Sequence, residues 1–304
     1  MLWKAGGVTI QPPHPDEPRR PLGPRDPGDA WVVADSGAKY WGRFGAAGLL
    51  AVDAERGVLL QHRVGWSHFG GTWGLPGGAL HEGESAIVGA QREAQEEAGI
   101  PDGAVRPRAT SVLDLQIWSY TTVIADVVEP FEPMIIDAES VALEWVALDE
   151  VDRRPLHPGF ADSWPKLRAM LTARPAVVVD AANVVGSVPD GWWKDRAGAS
   201  ARLRTSLAGL TVPAADLDLA GAAWSPEVSL VVEGEARALP DADDGIAVVR
   251  AEGAGDDAIV AETVRLVAAG RSVSVVTSDR ELRARPEAAG ASVRSVGWLR
   301  GLIG

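Results

Sequence analysis

Residues 78–100, GALHEGESAIVGAQREAQEEAGI, constrain this chain more than any other stretch. Helical periodicity over residues 84–98 puts Glu93, Glu96 and Glu97 at i, i+3 and i+4, on one face of a helix. Like charges at that spacing repel, so a helix avoids them unless a cation sits there. Carboxylate oxygens are hard donors that suit Mg²⁺ or Mn²⁺. Such an ion can bridge phosphate oxygens, offset charge developing in a transition state and acidify an attacking water. Ile87, Val88, Ala94 and Ala98 supply the apolar positions of the buried face, and Gly99 ends the helix where positive φ is cheap. A solvated Glu-rich face is the blander reading, and the specific spacing argues against it.

The run from Gly78 through Glu84 and Arg92-Glu93 to Glu96-Glu97, Gly99 and Ile100 resembles the Nudix box, G-x5-E-x7-R-E-U-x-E-E-x-G-U with U apolar. Every fixed position matches, and the small Ala94 stands at an apolar slot. The likeness extends over about residues 40–174, through Trp73-Gly-Leu-Pro-Gly-Gly before the box and Glu144-Trp145-Val146 after it. The resemblance implies an α+β Nudix fold, a mixed sheet between helices, that hydrolyses a nucleoside diphosphate linked to another moiety with Mg²⁺ or Mn²⁺. It makes Glu96 and Glu97 metal ligands, Glu93 a ligand or the general base, and Arg92 the group that orients the glutamates. Glu84 lies near the cluster, and Glu139 is the candidate for the carboxylate that the family recruits from a later loop. The box does not identify the substrate. Trp66, His68 and Phe69, in HRVGWSHFGGTW before it, are candidates for a base-stacking pocket, while Trp66 and Phe69 equally suit ordinary packing.

Composition bounds the rest. The chain has 304 residues, which favours two domains. It has no cysteine, so disulfides, thiolate metal sites and cysteine nucleophiles drop out. A formal net charge of −13 argues against a generally basic surface, and leaves room for a local basic groove. No run approaches the ~18 apolar residues of a membrane span, and the N-terminus lacks a signal-peptide pattern. We therefore expect a cytoplasmic protein without a membrane partner. Prolines crowd residues 11–28, so residues 1–38 read as a disordered or extended arm, 39–174 as the Nudix domain and 175–304 as a second domain. Within 39–174 we expect a hairpin across Asp53–Arg56, strands at 109–117, 121–128 and 141–148, and a closing helix from Pro165 to Arg174.

In residues 175–304 strand-like runs alternate with helical ones, the pattern of a parallel α/β sheet. Asp180, Glu233 and Asp279 end predicted strands, where an open parallel sheet brings acids into one crevice. Asp256 and Asp257 start a helix, where acids are also at home for dipole reasons. Asp180-x-x-Asn183, Gly255-Asp256-Asp257 and Thr277-Ser278-Asp279 resemble the NYN branch of PIN-like nucleases, YacP-like domains in particular. That likeness implies metal-dependent RNA cleavage, with Asp180, Asp257 and Asp279 on the metal and Asp256 and Asn183 in support. Glu233 falls where such domains often carry Asp. Trp192 and Trp193, next to Lys194 and Arg196, suit base stacking and equally suit packing on the sheet.

Three functions stay open. The first is a Nudix pyrophosphohydrolase fused to an NYN-like domain. The second is a regulator whose Nudix half senses a nucleotide. The third is an RNA-processing enzyme in which one half trims a 5′ nucleotide and the other cuts the strand. A nucleotide or nucleoside-diphosphate derivative is the expected partner of the first, with RNA added by the second domain. Many Nudix proteins dimerise, so a homodimer is an expectation carried by resemblance alone.

Overall fold

In a computed structural model of the chain, the described residues are 8–13, 26–188 and 192–304. The chain divides into two compact units, Met1–Leu171 with Ala220–Ala222, and Thr172–Leu219 with Ala223–Gly304. Among the described residues no helix is long and apolar enough to cross a membrane.

The first unit opens on an antiparallel sheet of β1 (Val8–Gln11), β2 (Trp31–Ala34) and β3 (Lys39–Trp41), in that order. This corrects the expected arm over residues 1–38. VTIQ and WVVA are rich in β-branched and aromatic residues, which favour a pleated surface. Pro12, Pro13 and Pro27 lie outside these strands, where a missing N–H costs no ladder bond. The rest of the expected arm, 1–7 and 14–25, lies outside the described residues.

The main sheet follows from β4 (Ala46–Asp53), β5 (Gly57–Arg63), β6 (Trp73–Gly74), β7 (Gly77–Ala79), β8 (Val105–Asp114), β9 (Ser119–Val127) and β10 (Ser140–Val146). Its path is β10-β5-β4-β9-β8, with β6 on β5 and β7 on β4. The β4–β9 pair is parallel and the other pairs are antiparallel, a mixed sheet. The β4–β5 turn is set by Asp53 Oδ1, which accepts from Glu55 N and Arg56 N at 2.9 Å each. Helix α1 (Ala86–Ala98) crosses the sheet on its smallest side chains. Ala90, Ala94 and Ala98 pack with Leu49, Leu59 and Val123. Ser85 caps its start by accepting from Val88 N, and Gly99 ends it at φ +64°. Helix α2 (Pro158–Met170) begins seven residues before the expected start and ends four before the expected end. Pro158 stands at its first turn, where a fixed φ is pre-organised, and Pro165 is tolerated inside it.

The second unit is built from β11 (Pro175–Asp180), α3 (Ala181–Gly186), α4 (Arg196–Leu207), a short antiparallel pair β12 (Val212–Pro213) and β13 (Ala223–Trp224), β14 (Glu227–Val232), β15 (Ile246–Arg250), α5 (Gly255–Ala268), β16 (Ser272–Val276), α6 (Arg280–Ala288), β17 (Ser292–Arg294) and α7 (Val296–Ile303). Five strands form an all-parallel sheet in the order β15-β14-β11-β16-β17. Every residue of β11 is buried, as a strand covered on both faces requires. Val177 and Val179 pack with Leu203 and Leu207 of α4, while Ala176 and Val178 pack with Ile259 and Leu266 of α5. Strand order reverses at β11, so a crevice opens beyond the carboxyl ends of β11, β14 and β16.

Candidate carboxylate sites

The three box glutamates of α1 differ in burial. Glu93 and Glu97 are each 1% exposed, and Glu96 is exposed. Glu97 Oε2 accepts from Gly77 N at 2.8 Å and from Gln61 Nε2 at 3.3 Å. Gln61 Nε2 also reaches Ser140 Oγ at 2.8 Å, and that hydroxyl donates to Asp137 Oδ1 at 3.1 Å. One carboxylate oxygen each from Glu97, Asp137 and Glu139 lies within 4.8 Å of the others. Asp137 Oδ2 is buried and meets no hydrogen-bond partner among the described residues. The loop carrying these two acids is fastened to α1, since Met134 N donates to Ala98 O at 3.0 Å. Glu139, the expected later carboxylate, therefore stands beside Glu97. Asp137 was not singled out in the sequence, and nothing in its spacing marks it.

Arg92 lies between the acids. Its Nε and Nη2 donate to the two oxygens of Glu84 at 2.9 Å each, and Nη1 donates to Glu93 Oε1 at 2.8 Å. Nη1 also lies 3.4 Å from Glu96 Oε2, and Nη2 donates to Ala79 O at 3.0 Å. Such a planar fork matches carboxylate geometry, which lysine cannot do. The Arg92 guanidinium holds the Glu84 carboxyl below its usual range, and Glu84 in turn holds the guanidinium proton more firmly. Gly89 makes the room, because a Cβ there would stand 2.9 Å from Glu84 Oε2 and collide with Leu80 Cδ2.

Beside this cluster is a basic and aromatic group. Arg63 shares a face of β5 with Gln61, two residues away, and its Nε donates to His68 O at 3.3 Å. His68 meets Phe69 edge-on at 4.3 Å, and Phe69 meets His157 at 4.8 Å. Burial, with Arg63 adding, lowers the His157 imidazole to about 4 and also lowers His68. His157 Nδ1 accepts from Gly159 N, which places the remaining proton on Nε2. Trp66 and Phe69 are each 47% exposed. Tyr120 lies against Gly48, where a Cβ would collide with its hydroxyl. Burial raises that phenol, and the charges of Glu97 and Glu93 add to the effect. Gln61, Arg63 and Tyr120 are further residues that the sequence reading passed over.

In the second unit, Asp180, Asn183, Glu233, Asp256 and Asp279 line one cleft of about 270 Å³. Asp180 Oδ1 accepts from Asn183 N and Oδ2 from Thr277 Oγ1, each at 3.0 Å. Burial raises the Asp180 carboxyl, with Asp256 and Glu233 adding to it. Asn183 Oδ1 accepts from Ser278 N, and Glu233 Oε2 accepts from Gly255 N. Asp279 caps α6 by accepting from Glu281 N and Leu282 N. Asp257, expected on the metal, does not line this cleft. It is exposed on α5 and paired with Arg285 at 2.6 Å, because one residue along a helix turns the side chain by about 100°. Trp192 and Trp193 form a short turn, rings 6.2 Å apart and edge to face.

Residues 42–167 match the family model described as the NUDIX domain. A protein of Mycobacterium tuberculosis named "Putative 8-oxo-dGTP diphosphatase 3" is 51% identical over 154 residues, 47% of this chain and 70% of that protein. A Bifidobacterium longum protein named "Nucleoside triphosphate pyrophosphatase/Nudix hydrolase fusion protein" is 37% identical over 185 residues, 56% of this chain and 38% of that protein. A crystal structure of a Nudix hydrolase from M. smegmatis, RenU, is 47% identical, covers 47% of this chain and 95% of that one, and superposes with a TM-score of 0.44. Taken with the intact box on α1 and the NUDIX match, the likeness to the M. tuberculosis protein shows that the chain belongs to the Nudix family, as a Nudix pyrophosphohydrolase.

Proposed function

We propose that the first unit hydrolyses a phosphoanhydride bond of a nucleoside triphosphate or another nucleoside-diphosphate derivative, with Mg²⁺ or Mn²⁺ held by its carboxylates. The gathering of Glu97, Asp137 and Glu139 oxygens within 4.8 Å carries the reading. Three carboxylates that close repel one another unless a cation joins them, and Asp137 Oδ2 is a buried acceptor with an open valence. An all-oxygen donor set fits a hard divalent ion. Bound there, the ion would neutralise phosphate charge and lower the pKa of a water. Glu96, exposed at the rim, would add an oxygen. Arg92 orients Glu93, which stands ready to ligate or to take the attacking water's proton. Arg63, on the same strand face as Gln61, would meet phosphate, and Trp66, His68 and Phe69 would hold the base. The name of the M. tuberculosis relative motivates 8-oxo-dGTP as the first substrate to try.

The test is hydrolysis of 8-oxo-dGTP, dGTP and dinucleoside polyphosphates by the full chain, titrated with Mg²⁺ and Mn²⁺. Glu97→Gln should abolish turnover. Asp137→Asn should raise the metal concentration needed by ten-fold or more. Wild-type metal dependence in both variants would sink the reading.

A second reading concerns the second unit, favoured by the convergence of four acids and Asn183 where its strand order reverses. We infer a PIN-like, metal-dependent nuclease site built on Asp180, Asp256, Asp279 and Glu233, with Asp257 outside it. Mn²⁺-dependent cleavage of RNA lost in Asp180→Asn and kept in Asp257→Asn would support it. Equal loss in both would refute the placement of Asp257.

A further inference from the structure

The Trp192–Lys194 turn is an aromatic motif that neither carboxylate site uses. Trp192 is half-buried and covers Gly186, the last residue of α3, with Cζ2 3.7 Å from where a Cβ would stand. Trp193 packs edge-on against Trp192 and is 57% exposed. An exposed indole held against a second ring is unusual, because burying it would remove a large apolar area from water. Cations lie on the turn and beside it. Lys194 is exposed, and the Arg196 guanidinium lies 5.4 Å from the Trp192 ring. Arg300 of α7 reaches Ser187, just past the end of α3. Asp195, the acid of the turn, is engaged in capping α4 through Gly198 N and pairs with Arg202 at 4.0 Å. Among the described residues the patch is thus locally basic, in a chain of net charge −13.

The other end of α3 is the acidic cleft, since Asp180 caps that helix and Asn183 belongs to its first turn. Six helical residues at 1.5 Å each put the two ends about 9 Å apart. That is about two to three steps of a stacked strand at 3.4 Å per nucleotide. We propose that Trp193 is a stacking platform for one base of single-stranded nucleic acid, with Lys194, Arg196 and Arg300 taking phosphates two to three nucleotides from the acidic cleft. The proposal rests on the second reading above for the strand's destination and stands apart from it for binding.

The experiment measures fluorescence anisotropy of labelled oligouridine RNA and oligothymidine DNA of about 12 nucleotides, within the usual site sizes of single-strand binders. The full chain is used in EDTA at about 50 mM salt, so no cleavage intervenes and phosphate contacts are not screened away. Trp193→Ala should weaken binding about ten-fold or more, and Trp193→Phe should keep most of it. Arg196→Ala should lower the slope of log affinity against log salt by about 0.7. Tighter RNA than DNA binding would identify a contact to the 2′-hydroxyl, and equal binding a contact to base and phosphate alone. Amide hydrogen-exchange protection of β11 and α4 should be unchanged in Trp193→Ala, which checks that the second unit of the variant is folded. Wild-type affinity in Trp193→Ala, or no binding of either strand by the native chain, overturns the proposal. If Mn²⁺-dependent cleavage nonetheless persists, the nuclease reading survives that failure. Trp193-dependent binding without any cleavage would do the reverse.

Discussion

Arg92→Ala tests whether Arg92 acts on its neighbours or on substrate. The side chain is 19% exposed, and the side chains of Glu84 and Glu93 are 9% and 2% exposed. Removing the fork strips Glu84 of two charge-assisted hydrogen bonds and Glu93 of one, and leaves two nearly buried carboxylates near each other. Breaking a buried pair from one side costs about 3–5 kcal/mol, far above the 0–1 kcal/mol of a surface pair. With two units in the chain, a single unfolding transition is not assured, so the assay is amide hydrogen exchange of α1 in EDTA. We expect the opening free energy of α1 to fall by about 3–5 kcal/mol in Arg92→Ala, and by less in Arg92→Lys, which keeps the charge and loses the fork. Glu84 is held below its ordinary value of 4.5, so its stabilisation is fully present above pH 4.5 and fades as the pH falls through the lowered value. The gap between wild type and variant should therefore close in acid. Unchanged α1 protection together with collapsed hydrolysis would refute the reasoning and move Arg92 onto the substrate.

Gly48→Ala should destabilise the first unit by about 1–3 kcal/mol, because its methyl collides with the Tyr120 hydroxyl. Tyr120→Phe in the same chain should recover part of that loss in a double-mutant cycle, and a purely additive cycle would count against the contact. His157, lowered to about 4 against an ordinary 6.5, binds fewer protons folded than unfolded. Its contribution is complete above pH 6.5 and is lost as the pH falls toward 4. The apparent Tm of wild type should fall more steeply across that window than that of His157→Asn, and parallel curves would show that the imidazole is not buried neutral.

The carboxylate helix was legible because a helix repeats at 3.6 residues and the charges violate the usual rule at that repeat. Glu93, Glu96 and Glu97 could thus be placed on one face from spacing alone. Asp137 and Gln61 could not, since they meet Glu97 through strand pairing and a loop whose closure no local pattern encodes. The parallel sheet was legible from runs such as AVVVD, which only a strand covered on both faces needs. The difference between Asp256 and Asp257 was not, because adjacent acids look alike until the helix phase is known. Prolines misled at the N-terminal segment. Their density hid two four-residue strands lying on either side of them.

The bond from Met134 to Ala98 ties the loop of Asp137 and Glu139 to the same helix end that follows Glu97. The hairpin of β8 and β9 lies between these points in sequence, and β9 runs through the main sheet beside β4. A change of length at its turn, by the exposed Gln116, leaves the Met134–Ala98 tie, and with it the spacing of the acids, in place. Sequence separation between the helix and its later carboxylate then carries no information about the site, and alignment by fixed offset will miss Asp137 in any chain where that hairpin has grown or shrunk.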